Sequence, residues 1–318
     1  MKNKYAPEGS LISTPENREL TSSRESLDRA AVQGRTLEGV AQLCDGSMRL
    51  HIDLYGIRGI IERSEAAYDP SGQPIKDIAI ITRVGKPVCF KVLGRDFDSK
   101  GEFYRLSRRD AQQECYRNYL RDLCPGDVID AKVTHLETFG AFVDIGCGLP
   151  SLLSIDSISV SRISHPRDRL SCGMSIRCVV RSIDRTSHKI LVSMRELLGS
   201  WEENASAFEA GQTVAGIVRS VESYGIFVEL APNLAGLAEL REGDPPPRPG
   251  QRVAVYIKSI LPERMKIKLV LVDAGGNDAP TPATIKYFVD PKVTHIDRWI
   301  YSPKSSPRII ETLFDDTL

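Results

Sequence analysis

The sequence predicts a mainly β protein built from tandem five-stranded antiparallel barrels, two clear and one degenerate, joined by short helices. Three observations predict it. First, "GDVIDAKVTHLETFGAFVDIG" (126–146) aligns with "GQTVAGIVRSVESYGIFVELA" (211–231) at a constant offset of 85. Gly126 meets Gly211, Phe139 meets Tyr224, Gly140 meets Gly225 and Phe142 meets Phe227. Second, "GMSIRCVVRSIDRTSHKI" (173–190) aligns with "GQRVAVYIKSILPERMKI" (250–267) at offset 77, so the later copy is eight residues shorter in its middle loop. Third, short alternating stretches recur between glycine-marked turns, the pattern of small antiparallel barrels. An internal repeat of this length decides the architecture before any single element does.

Within each copy the elements follow in order. An alternating strand after the opening glycine leads to a turn, then to the aromatic-glycine-aromatic strand. "PSLLSI" or "AGLAEL" is the third strand, an alternating fourth follows a loop, and "KILVSM" or "KIKLVLV" is the fifth. A weaker copy precedes them. "GIRGIIERSE" (56–65) resembles the third-strand region, "VGKPVCFKVLGRDF" (84–97) a glycine and fourth strand, and "EFYRLSRRDAQ" (102–112) a fifth strand entering a helix. It lacks the aromatic-glycine-aromatic stretch. "RRDAQQECYRNYLRD" (108–122) and "MRELLGSWEENASAF" (194–208) are rich in helix formers and read as stiff spacers. The expected organisation is a polar, flexible segment at 1–35, a degenerate barrel at 36–107, and a helical spacer at 108–123. A full barrel at 124–195, a helical spacer at 196–208 and a third barrel at 209–272 follow. In 273–318, "DAGGNDAPTPAT" (273–284) reads as a flexible linker. The aromatic residues beyond it (Tyr287, Phe288, Trp299, Tyr301, Phe314) predict docking onto the third barrel or a partner.

Composition bounds the function. The 318 residues carry 42 Lys plus Arg against 42 Asp plus Glu, for zero net charge. That argues against holding duplex DNA mainly through phosphates, and leaves open a single-strand binder that stacks bases. Seven scattered cysteines with no C-x-x-C pair fit reduced core thiols in a cytoplasm. No apolar run is long enough for a bilayer, and the N-terminus has no apolar core behind its lysines. The five histidines form no H-E-x-x-H or zinc spacing, and there is no phosphate loop or nucleophile elbow. The reading is a non-enzyme with no cofactor, no metal, no membrane partner and no small-molecule substrate.

Phe139 and Phe142 lie an odd number of residues apart, so strict alternation puts them on opposite faces. A bulge or turn at Gly140 would bring both rings to one face as a platform for consecutive bases. Tyr224, Gly225 and Phe227 repeat the device.

These motifs, "GDVIDAKV", "TFGAFVDIG" and "VRSIDRTSHKILVSM" above all, resemble the ribosomal protein S-one type RNA-binding domain family, an OB-fold barrel. The resemblance covers 124–195 strongly, 209–272 well and about 36–107 weakly. It implies an RNA face on the second and third strands: two aromatics around a glycine, a third-strand histidine, and an Asp with a basic residue near the fifth strand. Those positions fall on Phe139, Phe142, Asp184 and His188, with Lys189 as a substitute for the basic residue, and on Tyr224 and Phe227 in the last barrel. The histidine is missing, with Leu152 or Glu239 near its place, and Leu261 and Met265 replace the Asp and basic residue of the last barrel. Lys132, Arg181 and Arg185 add phosphate contacts, and His135 shares the first strand with Lys132. The expected partner is single-stranded RNA, mRNA in particular, with the small ribosomal subunit as a further partner of a bacterial-type, cytoplasmic protein. The second barrel ranks first as a binder, then the third, then the first. A protein-interaction scaffold that keeps the fold and has lost most RNA contacts is the rival reading, favoured by the zero net charge and the missing histidine.

Overall fold

A computed structural model describes residues 5–239, 247–273 and 285–314. It contains three closed five-stranded barrels. The first is made of β1 (Thr36–Cys44), β2 (Leu50–Leu54), β3 (Ile57–Ile61), β4 (Pro87–Asp98) and β5 (Gly101–Ser107). In the second are β6 (Val128–Glu137), β7 (Gly140–Asp144), β8 (Pro150–Ser154), β9 (Ser175–Asp184) and β10 (Lys189–Ser193). The third has β11 (Thr213–Glu222), β12 (Gly225–Ala231), β13 (Leu234–Glu239), β14 (Arg252–Leu261) and β15 (Lys266–Asp273). In each, the third and fifth strands pair in parallel and close a meander that is otherwise antiparallel. Inward positions alternate along the strands, as in Val133, Ala141, Val143 and Leu153, and all four are buried.

The first barrel, expected as degenerate, closes with the same strand order as the others. Each barrel also shifts register once in its first strand, between Ala41 and Leu43, Val133 and His135, and Val218 and Ser220. The bulge and not the aromatic motif is therefore the feature all three share. Cys89, Cys115, Cys147 and Cys178 are buried, while Cys172 is exposed.

Residues 5–35, whose polarity leaves disorder or a loose helix open, form helices α1 (Pro15–Thr21) and α2 (Arg24–Val32), capped by the Thr14 and Ser23 side chains. Leu20, Leu27 and Ala30 are buried in the first core, and so few apolar residues are hard to see against a charged background. Upstream of α1 the chain crosses to the second barrel, where Tyr5 stacks on Tyr119 at 6.2 Å. A further helix, α3 (Asp77–Ile81), lies in the β3–β4 loop, and α4 (Arg108–Asn118) links the first two barrels.

At that junction Glu8 and Arg108 form a buried, bidentate ion pair, with Nε and Nη2 of Arg108 donating to the carboxylate at 2.7 and 3.0 Å. Burial pushes Glu8 up, but the charge and hydrogen bonds of Arg108 overcome it and hold the carboxyl below its ordinary value. Asp144, at the end of β7, accepts the backbone N–H groups of Glu8, Gly146 and Gly148. Burial and the Glu8 carboxylate push it up to about 7.

Glu38 on β1 accepts the N–H groups of Gly9, Leu11 and Ile12, and burial pushes it up to about 7 against those bonds. A carboxyl raised this way holds its proton more tightly in the folded state. Its contribution is complete below the ordinary value of 4.5 and is lost as pH rises through about 7. Asp144 acts with the same sign. The unfolding midpoint is therefore expected to fall between about pH 5 and about pH 8, and Glu38→Gln to reduce that slope. A midpoint that holds or rises across this range would show the buried carboxyls ionised throughout.

The second junction uses the same repeat position. Glu229, the counterpart of Asp144 by register, binds Arg219 at 2.6 Å and also Arg169, which comes from the β8–β9 loop of the second barrel. Helix α5 (Trp201–Ala205) carries Trp201 into the third core. Of the expected linker at 273–284, Asp273 ends β15 and the rest lies outside the described residues. From 285 on the chain straps both later barrels together. Arg177 donates to the carbonyls of Val289, Asp290 and Val293, and Val128 and Ile296 exchange backbone bonds with Thr294 and Gly126. Only glycine fits at 126, where a Cβ would lie 2.4 Å from the Ile296 carbonyl oxygen. Trp299 and Tyr301 then join the third core, and β16 (Arg298–Ile300) pairs with β17 (Glu311–Leu313). Docking expected on one barrel is thus docking on two.

Candidate nucleic-acid interface

Glu137 pairs with Gly140, so Thr138 and Phe139 form the two-residue turn between β6 and β7. Phe139 stands in the turn, 53% exposed, and Phe142 is half-buried on β7. Their ring centroids are 6.1 Å apart and the rings are perpendicular. Tyr224 and Phe227 repeat this at 6.2 Å and 90°, with Tyr224 66% exposed.

The two rings meet as expected, but for a different reason. The bulge sits at Thr134 on the neighbouring strand and not at Gly140. Phe139 escapes the alternation because it precedes the strand. Gly140 is needed for close approach, since a Cβ there would stand 2.5 Å from the Leu153 carbonyl oxygen. Both rings are outside the barrel core.

Register extends the ring edge into a row across the sheet. His135 pairs with Phe142, Phe142 with Leu152, and Leu152 with Leu191. Leu152 therefore holds the place of the missing histidine, and Leu191, 40% exposed, is a neighbour the sequence reading missed. His135 also contacts Glu137 at 2.7 Å. The same row in the third barrel is Ser220, Phe227, Leu237 and Lys268, so Leu237 and not Glu239 takes the histidine position. In the first barrel it is Leu43, His51, Ile60 and Arg105, with no ring for stacking beyond the imidazole that Asp45 holds at 2.9 Å.

The remaining sequence-predicted residues separate. Lys189 is exposed two positions from Leu191, on the same outward face and about 7 Å along the strand. Asp184 is spent on its own turn: the Ser187 hydroxyl and the Ser187 and Thr186 N–H groups donate to it, and these bonds hold it below the ordinary carboxylate range. His188 follows in a left-handed conformation, φ 56°, as does its repeat partner Met265 at 49°, so this backbone belongs to the barrel type. Arg185 lies beside α4, its guanidinium 3.5 Å from the Arg121 carbonyl oxygen. Two residues are engaged elsewhere. Lys132 donates to the Glu8 carbonyl at 3.0 Å under the N-terminal segment, and Arg181 donates to the Ser157 hydroxyl at 2.7 Å with Asp156 nearby. A free lysine on paper is thus a structural one at 132, because residues far upstream fold over it.

The third barrel holds cations that the sequence reading passed over. Lys258, Lys266 and Lys268 are all exposed and make no ion pair among the described residues. The alternation in "KIKLVLV" was their signal, since it turns both β15 lysines outward. No helix among the described residues is long and apolar enough to cross a membrane.

Residues 123–195 match the family model described as the S1 RNA binding domain. The small ribosomal subunit protein bS1 of Staphylococcus aureus is 30% identical over 251 residues, which cover 74% of this chain and 62% of that protein. The bS1 protein of Staphylococcus saprophyticus is 29% identical over 275 residues, covering 82% of this chain and 67% of that one. The chain therefore spans 62% of the length of the first of these relatives. A solved multidomain protein with nucleic acid binding domains from Streptococcus pneumoniae aligns over 77% of this chain and 75% of its own. The two are 15% identical, with a TM-score of 0.25. The second barrel thus matches the S1 RNA binding domain, and likeness to the bS1 proteins extends over most of the chain.

Proposed function

We propose that this protein binds single-stranded RNA, mRNA included, by stacking bases on paired rings, and that it does so in association with the small ribosomal subunit. The contacting pair Phe139 and Phe142, with Phe139 more than half exposed and Phe142 half-buried outside the barrel core, carries the proposal, because an exposed ring of this size adds little to packing. Such rings accept any base, so discrimination among sequences is weak. Lys189 in the second barrel and Lys258, Lys266 and Lys268 in the third supply phosphate contacts. Duplex RNA keeps its bases stacked inside and cannot use the rings. The relatives named as ribosomal proteins support the ribosomal half of the reading.

The test is affinity for a short single-stranded RNA and for the same sequence as a duplex, each across a salt series. The single strand is expected to bind more tightly, with log K falling by about 0.7 per phosphate contact against log salt. With only a few contacts the slope is shallow. Absence of single-strand binding at low salt would overturn the proposal in favour of a protein-interaction scaffold.

A further inference from the structure

Beyond the outward face of the second barrel, the β9–β10 turn touches a ring from outside that barrel, and a second ring packs on the first. The Tyr116 hydroxyl lies 2.7 Å from Nδ1 of His188, with the rings 5.8 Å apart and edge-on. Tyr116 is half-buried on α4, and Tyr68, from the β3–β4 loop of the first barrel, packs against it at 6.0 Å and 54°. The Tyr68 backbone N–H donates to the Gln112 side chain at 2.8 Å, which fixes this loop on the helix. Arg185 and Arg121 meet at this junction, the Arg185 guanidinium 3.5 Å from the Arg121 carbonyl oxygen. Burial and the neighbouring Tyr68 raise the Tyr116 hydroxyl above its ordinary value, and the charges of Arg121 and Arg185 offset part of that. Arg185 makes no ion pair among the described residues, and Arg121 has only a 3.6 Å pair with the exposed Asp122. Rings with surplus positive charge thus continue the line that runs from Phe142 through Leu191 to Lys189.

We infer that Tyr68 and Tyr116, with Arg121 and Arg185, form a second stacking station for single-stranded RNA, so that one strand tracks from the second barrel onto α4 and the first barrel's loop. The inference rests on the RNA-binding reading of the second barrel. The chemistry is that of a single-strand path: ring faces for bases, with guanidinium and ammonium groups for the phosphates between them. His188 and Lys189 join the two stations. The junction holds the stations in fixed relation, because Glu8 and Arg108 tie the same two barrels together. The third barrel has no counterpart, since Trp201 of α5 is buried and Met265 stands in the histidine position. The first barrel contributes here through a loop although its own sheet face lacks the ring pair.

The experiment uses the full chain and two oligouridine RNAs, one of about 5 nucleotides and one of about 16, lengths that bracket the site of a single barrel. Wild type is expected to bind the longer RNA more tightly. A Tyr68→Leu, Tyr116→Leu variant is expected to lose about tenfold or more in affinity for the longer RNA and to keep its affinity for the shorter. If that variant fails to fold, as judged by its unfolding midpoint, the exposed pair Arg121→Glu, Arg185→Glu gives the same readout together with a reduced salt slope. Unchanged long-RNA affinity in these variants, while Phe139→Ala, Phe142→Ala weakens both RNAs, would remove the second station and leave the RNA reading standing. Equal losses on both lengths in the tyrosine variant would show that the rings are part of a single site. Wild type that binds neither RNA would overturn both readings.

Discussion

Arg108→Ala is expected to destabilise the protein by about 3–5 kcal/mol, the cost of breaking a buried ion pair from one side. Arg108 and Glu8 are both almost completely buried, and the guanidinium also donates to the carbonyls of Ala66 and Gly148. Alanine strands the Glu8 carboxylate with only the Cys89 N–H at 3.0 Å and Arg83 at 3.7 Å. It also empties a space walled by the Gly148 backbone, where a Cβ would meet Nη2 of Arg108 at 2.1 Å. Arg108→Lys recovers part of the charge but not the two parallel bonds, so it falls between the two. The measurement is urea unfolding at neutral pH, with proteolysis across α4 reporting whether the first barrel releases the second. A loss below about 1 kcal/mol, the scale of an exposed pair, would show that apolar contacts alone hold the junction.

Phe139→Ala with Phe142→Ala is expected to weaken single-stranded RNA binding by at least about 30-fold, taking each ring at the low end of 1–3 kcal/mol. The exposed Phe139 should add little to stability, so Phe139→Ala alone leaves the unfolding midpoint close to wild type. Phe142 is half-buried, and its removal carries a modest stability cost that the midpoint records. Unchanged RNA affinity in the folded double variant would make the rings bystanders. Loss of affinity with an unchanged salt slope would separate stacking from phosphate contact, because the rings release no counterions.

Much of the fold was legible because barrel strands impose a local rule. Alternation in "VIDAKV" and "KIKLVLV", glycines at matched turns and a repeat at constant offset all survive in one dimension. The ring pair was legible for the same reason, down to its third-barrel copy. The first barrel looked degenerate because its ring motif is missing, although its strand order and bulge are intact. That α1 and α2 dock firmly was not legible, since only three buried apolar residues anchor them within a polar stretch. Asp184, which the sequence left open between a turn cap and a binding residue, accepts three bonds within its own turn.

By itself, the sequence determined the number of barrels, their strand succession, the helices between them and the two aromatic hairpins. Tertiary structure alone decided which charged groups are free and which are spent. Glu8 meets Arg108 across 100 residues, Lys132 is covered by the Glu8 carbonyl across 124, and Arg177 holds the strap across more than 110. It also brought Tyr68, Tyr116 and His188 together from three separate elements. The reason is physical. A strand's pattern follows from the geometry of its own backbone, whereas ion pairs, straps and ring clusters depend on which distant surfaces pack together. That choice is made by the burial of whole faces and leaves no periodic mark in the chain.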